Sequence, residues 1–508
     1  MPLMYCHAKL KNISQHTVIS AHLFLPDYSP MNRDSFYPAI ACFPLLLMLA
    51  GCAPMHETRQ ALSQHTLAVQ VDTALPTALK NGWPDSQWWL EYHDDQLTSL
   101  INNALQNAPD MQVAEQRIQL AEAQAKAVAT QDGPQLDFSA DMERQKMSAE
   151  GLMGPFALND PAAGTTGPWY TNGTFGLTAG WHLDIWGKNR AEVTARLGTV
   201  KARAEEREQT RQLLAGSVAR LYWEWQTQAA LNTVLQQIEK EQNTIIATDR
   251  QLYQNGITSS VEGVETDINA SKTRQQLNDV AGKMKIIEAR LNALTNHQTK
   301  SLKLKPVALP KVASQLPDEL GYSLLARRAD LQAAHWYVES SLSTIDAAKA
   351  AFYPDINLMA FLQQDALHLS DLFRHSAQQM GVTAGLTLPI FDSGRLNANL
   401  DIAKAESNLS IASYNKAVVE AVNDVARAAS QVQTLAEKNQ HQAQIERDAL
   451  RVVGLAQARF NAGLIAGSRV SEARIPALRE RANGLLLQGQ WLDASIQLTG
   501  ALGGGYKR

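Results

Sequence analysis

A chain of 508 residues with 46 Lys and Arg against 50 Asp and Glu carries a formal net charge of −4. That excludes a generally basic nucleic-acid binder, which needs surplus cations to displace counterions from phosphate. The 45% apolar share is that of an ordinary folded chain, and all three cysteines (Cys6, Cys42, Cys52) lie within the first 52 residues, so no disulfide or cysteine zinc site can organise the body.

The N-terminus reads as an address. Met31 is the expected true start, with residues 1–30 read from an upstream start codon. Arg33 supplies a positive charge, and an apolar stretch follows from Ala39 to Ala50. It contains Pro44 and falls short of the roughly 20 residues a membrane helix needs, so it fits the apolar core of a secretory signal. Leu49-Ala50-Gly51-Cys52 matches the bacterial lipobox, in which small residues precede a lipid-modified cysteine. Cys52 is therefore expected to be the lipidated first residue of the mature chain, and Ala53 in place of an aspartate points to the outer membrane. No cofactor is expected apart from this covalent lipid.

A helix is predicted from Gln96 to Thr130, stopping before the breaker pair Gly133-Pro134. The period then changes to two. Leu136, Phe138, Ala140 and Met142 alternate with Asp137, Ser139, Asp141 and Glu143, and Phe175, Leu177, Ala179, Trp181, Leu183 and Ile185 alternate with smaller or polar residues. These read as strands with one apolar and one polar face, near the 9–11 residues of a tilted membrane strand. Trp169, Tyr170, Trp181 and Trp186 are candidates for an interfacial aromatic girdle. From Lys188 to Asn255 there are 68 residues without proline, a predicted helix of roughly 100 Å. Leu214, Val218, Leu221 and Trp225 step along it as a coiled-coil seam does.

The pattern then recurs. Asp110-Met111-Gln112 matches Asp330-Leu331-Gln332, Leu183-Asp184-Ile185-Trp186 matches Leu388-Pro389-Ile390-Phe391, and Tyr253-Gln254-Asn255-Gly256 matches Phe460-Asn461-Ala462-Gly463, in the same order. This is the signature of a duplication. Strands are predicted around Ile356–Leu362 and Val382–Ile390. A second long helix is predicted from Arg395 to Phe460, with a seam at Val418, Val422, Val425, Ala429 and Val432. The expected segments are 1–51 (extension and signal), 52–95 (anchored N-terminal segment), 96–300 (first repeat), 301–317 (linker), 318–500 (second repeat) and 501–508 (a flexible Gly-rich tail). The fold class is mainly α with a membrane β part.

Four strands cannot close a barrel, and an open sheet edge in lipid leaves backbone groups unpaired at several kcal/mol each. Membrane strands thus imply oligomerisation. Two copies give eight strands and a filled interior, whereas three give twelve and room for a lumen. The chain lacks HExxH, Walker A, GxSxG and GxGxxG patterns. His368, Asp371 and His375 cluster in a predicted outer loop, read as solvated rather than as a metal site. No catalytic residues are expected.

The lipobox, Trp88-Trp89, Leu183-Asp184-Ile185-Trp186-Gly187, Leu388-Pro389-Ile390-Phe391-Asp392-Ser393-Gly394-Arg395 and Ala501-Leu502-Gly503-Gly504-Gly505 together resemble the TolC-like outer-membrane factors of tripartite efflux systems, in their lipoprotein (NodT-type) branch. The resemblance spans residues 52–505. It implies a homotrimer with a twelve-stranded outer-membrane barrel, a periplasmic α-helical barrel, and an equatorial belt partly built from Leu304–Pro317. It also implies a periplasmic adaptor (membrane fusion) protein and an inner-membrane efflux pump as partners, and small molecules as cargo. The alternatives are a conduit for secreted polypeptides and a non-conducting structural periplasmic lipoprotein. The resemblance further implies a gate near the helix turns at Asn255-Gly256 and Ala462-Gly463, with Glu262, Arg469 and Glu472 as its candidates. Arg469 stands where the family often has an acid. Phe460 and Ile465 replace a tyrosine and a basic latch residue, and Arg328-Ala329-Asp330-Leu331 lacks the family's proline.

Overall fold

The computed structural model describes residues 62–63, 83–146, 169–257, 259–296, 302–311 and 321–506, with side chains omitted at 321–323. Met31, the signal segment and Cys52 lie outside the described residues, as does the stretch from 312 to 320.

The elements run α1 (Asp95–Asn107), α2 (Pro109–Ala129), β1 (Gln135–Lys146), β2 (Trp169–Leu183), α3 (Lys188–Gln254), α4 (Ser260–Leu294), α5 (Gly321–Arg327), α6 (Ala329–Ala350), β3 (Asp355–Ala366), β4 (Gln378–Thr387), α7 (Arg395–Asn461) and α8 (Gly467–Ala501). The element order of the first half recurs in the second. The helix expected from Gln96 to Thr130 is two helices. Pro109 has no N–H to bond back along a helix, so it opens a new one at its first position, and Ala108 between them is extended. Asp94 caps α1 by accepting from Leu97 N at 2.8 Å. Strands β2 and β4 end at Leu183 and Thr387, short of the expected Ile185 and Ile390, because the chain turns there into the helix starts.

The four strands form one antiparallel sheet in the order β1-β2-β3-β4. The register aligns Phe138 with Leu177, Leu177 with Leu362, and Leu362 with Met380. A neighbouring row runs Leu136, Ala179, Ala360, Val382. Because side chains alternate along a strand, all four strands place most of their apolar residues on one face, with Met359 and Phe361 of β3 the exceptions on the other. Asp137, Ser139, Asp141 and Glu143 fall on the other.

Helices α3 and α7 have 67 residues each, or roughly 100 Å at 1.5 Å per residue. Helix α8 packs against both α3 and α7, α4 and α6 pack against α3, and α6 also meets α7. Most positions of the expected seams are buried, Leu214, Val218 and Trp225 on α3 and Val418, Val425, Ala429 and Val432 on α7, while Leu221 and Val422 are partly buried. Trp88 and Trp89 lie in one cluster with Leu97, Ile101, Val218 and Tyr222. The C-terminal glycines are not the flexible tail expected. Leu502 through Tyr506 are buried, and a Cβ on Gly503 or Gly505 would collide with the carbonyls of Arg327 and Asp85. Among the described residues no helix is long and apolar enough to cross a membrane.

Candidate functional site: sheet face, helix junctions, belt and tips

Among the described residues most of the apolar sheet face has no protein cover; only its upper end does, where Leu369, Leu372 and Phe373 of the loop before β4 lie against Gly173 and Phe175. Phe138 is 67% exposed, Met142 69%, Met380 69% and Val382 81%. Such residues bury readily in lipid, and an uncovered apolar face of this size marks an interaction surface. The four girdle candidates divide into two sets. Trp169 and Tyr170 open β2, while Trp181 and Trp186 lie at its far end. Twelve residues separate Trp169 from Trp181, roughly 40 Å along the strand. A tilt near 45° turns that into about 28 Å of height, close to the apolar band of a membrane barrel. The lower set is held in place: Trp181 Nε1 donates to Asp132 O at 2.8 Å, Trp186 Nε1 donates to Pro354 O at 2.8 Å, and Trp186 stacks on Tyr353.

Each strand-to-long-helix junction is closed by one carboxylate. Asp184 accepts from Asn189 N at 3.2 Å and Arg190 N at 3.0 Å. Asp392 accepts from Gly394 N at 3.0 Å and Leu396 N at 2.8 Å. These are orphan donors of a helix start, and a negative charge there also meets the positive end of the helix dipole. Burial pushes the Asp184 carboxyl up, but the backbone N–H groups and the Arg190 guanidinium outweigh it and hold the pKa below the ordinary value. The sequence motifs contained both aspartates, but their capping role could not be read without the turn that folds each carboxylate back.

The belt segment is described from Leu302 to Lys311 and is strapped down by glutamines. Gln96 Nε2 donates to Lys305 O at 3.2 Å while Lys305 N donates back to Gln96 Oε1 at 2.9 Å. Gln226 Nε2 donates to Lys305 O at 2.9 Å, and its Oε1 accepts from Val307 N at 2.8 Å. Gln488 Nε2 donates to Pro310 O at 3.0 Å. An amide side chain offers a donor and an acceptor at peptide spacing, so it pairs with an extended backbone as a neighbouring strand would. Tyr222 Oη donates to Asp94 at 2.7 Å beneath this strap. No periodicity marks these glutamines in the sequence.

At the other end of the long helices, both expected turns form. Gly256 N donates to Tyr253 O and Ile257 N to Leu252 O, and Gly463 N donates to Phe460 O and Leu464 N to Arg459 O. Gly256 has φ +68° and Gly463 φ +74°, the left-handed geometry that closes a helix by this double bond. Of the gate candidates, Arg469 and Glu472 are brought together: Arg469 Nη1 lies 2.7 Å from Glu472 Oε2, one turn apart on α8. Glu472 is the main cause of a raised Arg469 pKa, with smaller contributions from Glu262 and Asp249. Asp249 and Thr266 join α3 to α4 at 3.2 Å. One residue missed in the sequence is Arg474, which reaches Glu241 on α3 at 3.3 Å and Gln457 on α7 at 3.2 Å.

Asp330 stands in the first turn of α6, where its charge favours the helix dipole, and pairs with Arg328 at 2.6 Å and 3.0 Å. Asp371 in the outer loop pairs with Arg374 at 3.1 Å, and among the described residues no group of His, Cys, Asp or Glu stands close enough to hold a metal ion.

The family model described as outer membrane efflux protein matches residues 100–297 and 320–504. The chain is 98% identical over 478 residues to the multidrug resistance outer membrane protein MdtQ of Escherichia coli O6:H1, covering 94% of this chain and all of that one. It is 36% identical over 468 residues to the multidrug resistance outer membrane protein MdtP of Shigella flexneri, covering 91% and 94% of the two chains. Among solved structures, the CmeC outer membrane channel of Campylobacter jejuni superposes with a TM-score of 0.77 at 19% identity, over 90% of this chain and 95% of that one. The outer membrane protein VceC of Vibrio cholerae superposes at 0.70 with 25% identity, over 84% and 100%.

Proposed function

The chain belongs to the outer membrane efflux protein family, and from that premise we infer that it is the outer-membrane exit channel of a tripartite multidrug efflux system, passing small molecules without chemistry of its own. The observation that carries this reading is one continuous apolar sheet face, with two unpaired edge strands, joined through capped junctions to helices of 67 residues. Lipid would cover the face. Other copies of the chain would pair with the edges of β1 and β4, because backbone groups at an open edge have no partner in hydrocarbon. Three copies give a twelve-stranded barrel with a lumen, whereas two would fill it. The helices would then form a periplasmic tube whose tips meet a periplasmic adaptor, with an inner-membrane pump behind it.

At the tip, Glu262, Arg469 and Glu472 would form the gate around the turns at Asn255-Gly256 and Ala462-Gly463. The close Arg469–Glu472 pair supports a ring of mixed charge rather than a purely anionic one. Cys52 would carry the lipid anchor. Its tether has a seat on α7, where Leu62 N donates to Asn408 Oδ1 at 2.9 Å and Asn415 Nδ2 donates to Ser63 O at 3.0 Å. Asn408 is thirteen residues into α7, roughly 20 Å from the sheet. The ten-residue tether from Cys52 to Leu62 spans up to about 36 Å, enough for the lipid to reach the membrane.

Purification from outer membranes with subunit number and bilayer conductance measured together tests the reading. Three subunits with conductance are expected; a monomer that never conducts would sink it.

A further inference from the structure

The loop between β3 and β4, residues 367–377, folds over the outer end of β2 on the apolar face. Gly173 makes its seat: a Cβ there would come within 2.9 Å of Leu372 Cδ1 and 3.2 Å of Leu369 Cδ2. Phe373 meets Phe175 with 5.6 Å between ring centroids. Gly173 and Phe175 share the parity of Leu177, which places both contacts on the lipid side of the sheet. Leu372 is sunk in the seat at 7% exposure, while Phe373 is left 84% exposed. Backbone bonds from Leu372 N to Leu369 O and from Arg374 N to Asp371 O hold the loop in this shape. In the channel proposed above, on which this inference rests, this end of the strands is the extracellular one, because the long helices leave from the other.

Cations stand just beyond this apolar seat. Met142 pairs with Gly173 and Arg144 with Thr171, so Arg144 lies two residues further out along β1, roughly 7 Å. Arg144 and Lys146 share the parity of Met142, which turns both toward the lipid side, and both are exposed. The Arg144 guanidinium lies over the Trp169 ring, 6.0 Å from its centroid, and Lys146 is the register partner of Trp169. Neither cation makes an ion pair within 4.0 Å among the described residues. The β1 carboxylates fall on the opposite face, and Asp371 of the loop is held by Arg374. Outward from the middle of the membrane the order is therefore apolar wedge, aromatic ring, free cations.

We propose that this rim is a binding site for a phosphorylated glycolipid of the outer leaflet, lipid A, one per chain. Its phosphates meet Arg144 and Lys146, and its acyl chains lie along Met142, Phe175 and Phe373. The charges select the head: two cations on one strand, with no free carboxylate beside them on that face, attract an anion and gain strength from a phosphate at the edge of hydrocarbon. The height selects the leaflet. Trp169 stands at the boundary far from the helices, whereas the head groups of the periplasmic leaflet lie level with Trp181 and Trp186. The wedge selects a lipid over free phosphate, because an exposed phenylalanine on a fixed loop gains nothing from an inorganic ion.

Native mass spectrometry of the purified full-length protein, titrated with bisphosphorylated lipid A, dephosphorylated lipid A and phosphatidylglycerol, tests this. The bisphosphorylated form is expected to bind about tenfold more tightly than either of the others, the scale of one charge-assisted contact. Arg144→Gln combined with Lys146→Gln should abolish that preference, and Phe373→Ser should weaken both forms of lipid A alike. All three positions are exposed, so folding is not at stake. Equal affinities for the two forms of lipid A, a preference that survives the double substitution, phosphatidylglycerol bound as tightly as lipid A, or binding untouched by Phe373→Ser overturns the proposal. Conductance of the same preparation is read separately. A conducting protein without the lipid preference loses this site and keeps the channel; one that shows the preference but never conducts keeps the site and loses the channel.

Discussion

Asp184 and the belt glutamines show how single side chains finish what the backbone leaves open. Replacing Asp184 with Asn removes the charge at the start of α3 and is expected to cost about 1 kcal/mol at neutral pH. Its folded-state pKa is lowered, so its contribution is fully present above the ordinary carboxylate pKa and is lost as pH falls through the folded value. Thermal melts of wild type and Asp184→Asn should therefore differ near neutrality and converge in acid; a gap that widens on acidification would contradict the assignment. Gln226→Leu strips two hydrogen bonds from the belt. Leaving Val307 N without its acceptor costs about 1–3 kcal/mol, and faster tryptic cleavage after Lys303 or Lys311 is the readout. Glu472→Gln frees Arg469 from its partner and should shift the reversal potential toward anions. An unchanged potential would remove Glu472 from the gate.

Helices and strands follow from punctuation and period. The helix tips depend on glycine at a left-handed position, so Gly463→Ala is expected to destabilise by about 1 kcal/mol. Gly454, inside α7 with open space around it, is the control with the opposite sign. Gly454→Ala should stabilise by about 1 kcal/mol because alanine restricts the unfolded chain and favours helix. Paired thermal midpoints decide between them, and a fall at both sites would point to crowding rather than backbone geometry. The break at Pro109 was legible in principle, since proline has a fixed meaning at a helix start. The apolar spacing around it continues across Ala108, however, and period alone does not reveal a one-residue interruption.

For the assembled protein the lipid-facing sheet is decisive. Val382 is 81% exposed on the apolar face, and Val382→Arg is expected to cost about 2–4 kcal/mol near mid-membrane. Thr383→Arg, on the polar face one residue along, should be tolerated. Heat-modifiable migration of the oligomer on gels separates the two; equal effects would mean that the faces are not divided between lipid and lumen. The same arithmetic that forbids a lone four-stranded sheet in lipid requires partners along β1 and β4.

The two-residue and helical periods, the order of the duplicated motifs and the tip glycines were determined by the sequence itself, because each is a local rule read over a few neighbouring residues. The anchor at Cys52 likewise remains a sequence inference. What only the tertiary structure decided depends on groups far apart in the chain. Asp94 meets Tyr222, Gln226 meets Lys305, Arg474 meets Glu241, and the glycines after Ala501 are buried rather than loose. Hydrogen bonding between distant side chains leaves no period in the sequence, and a glycine needed for close approach looks the same as one that merely bends.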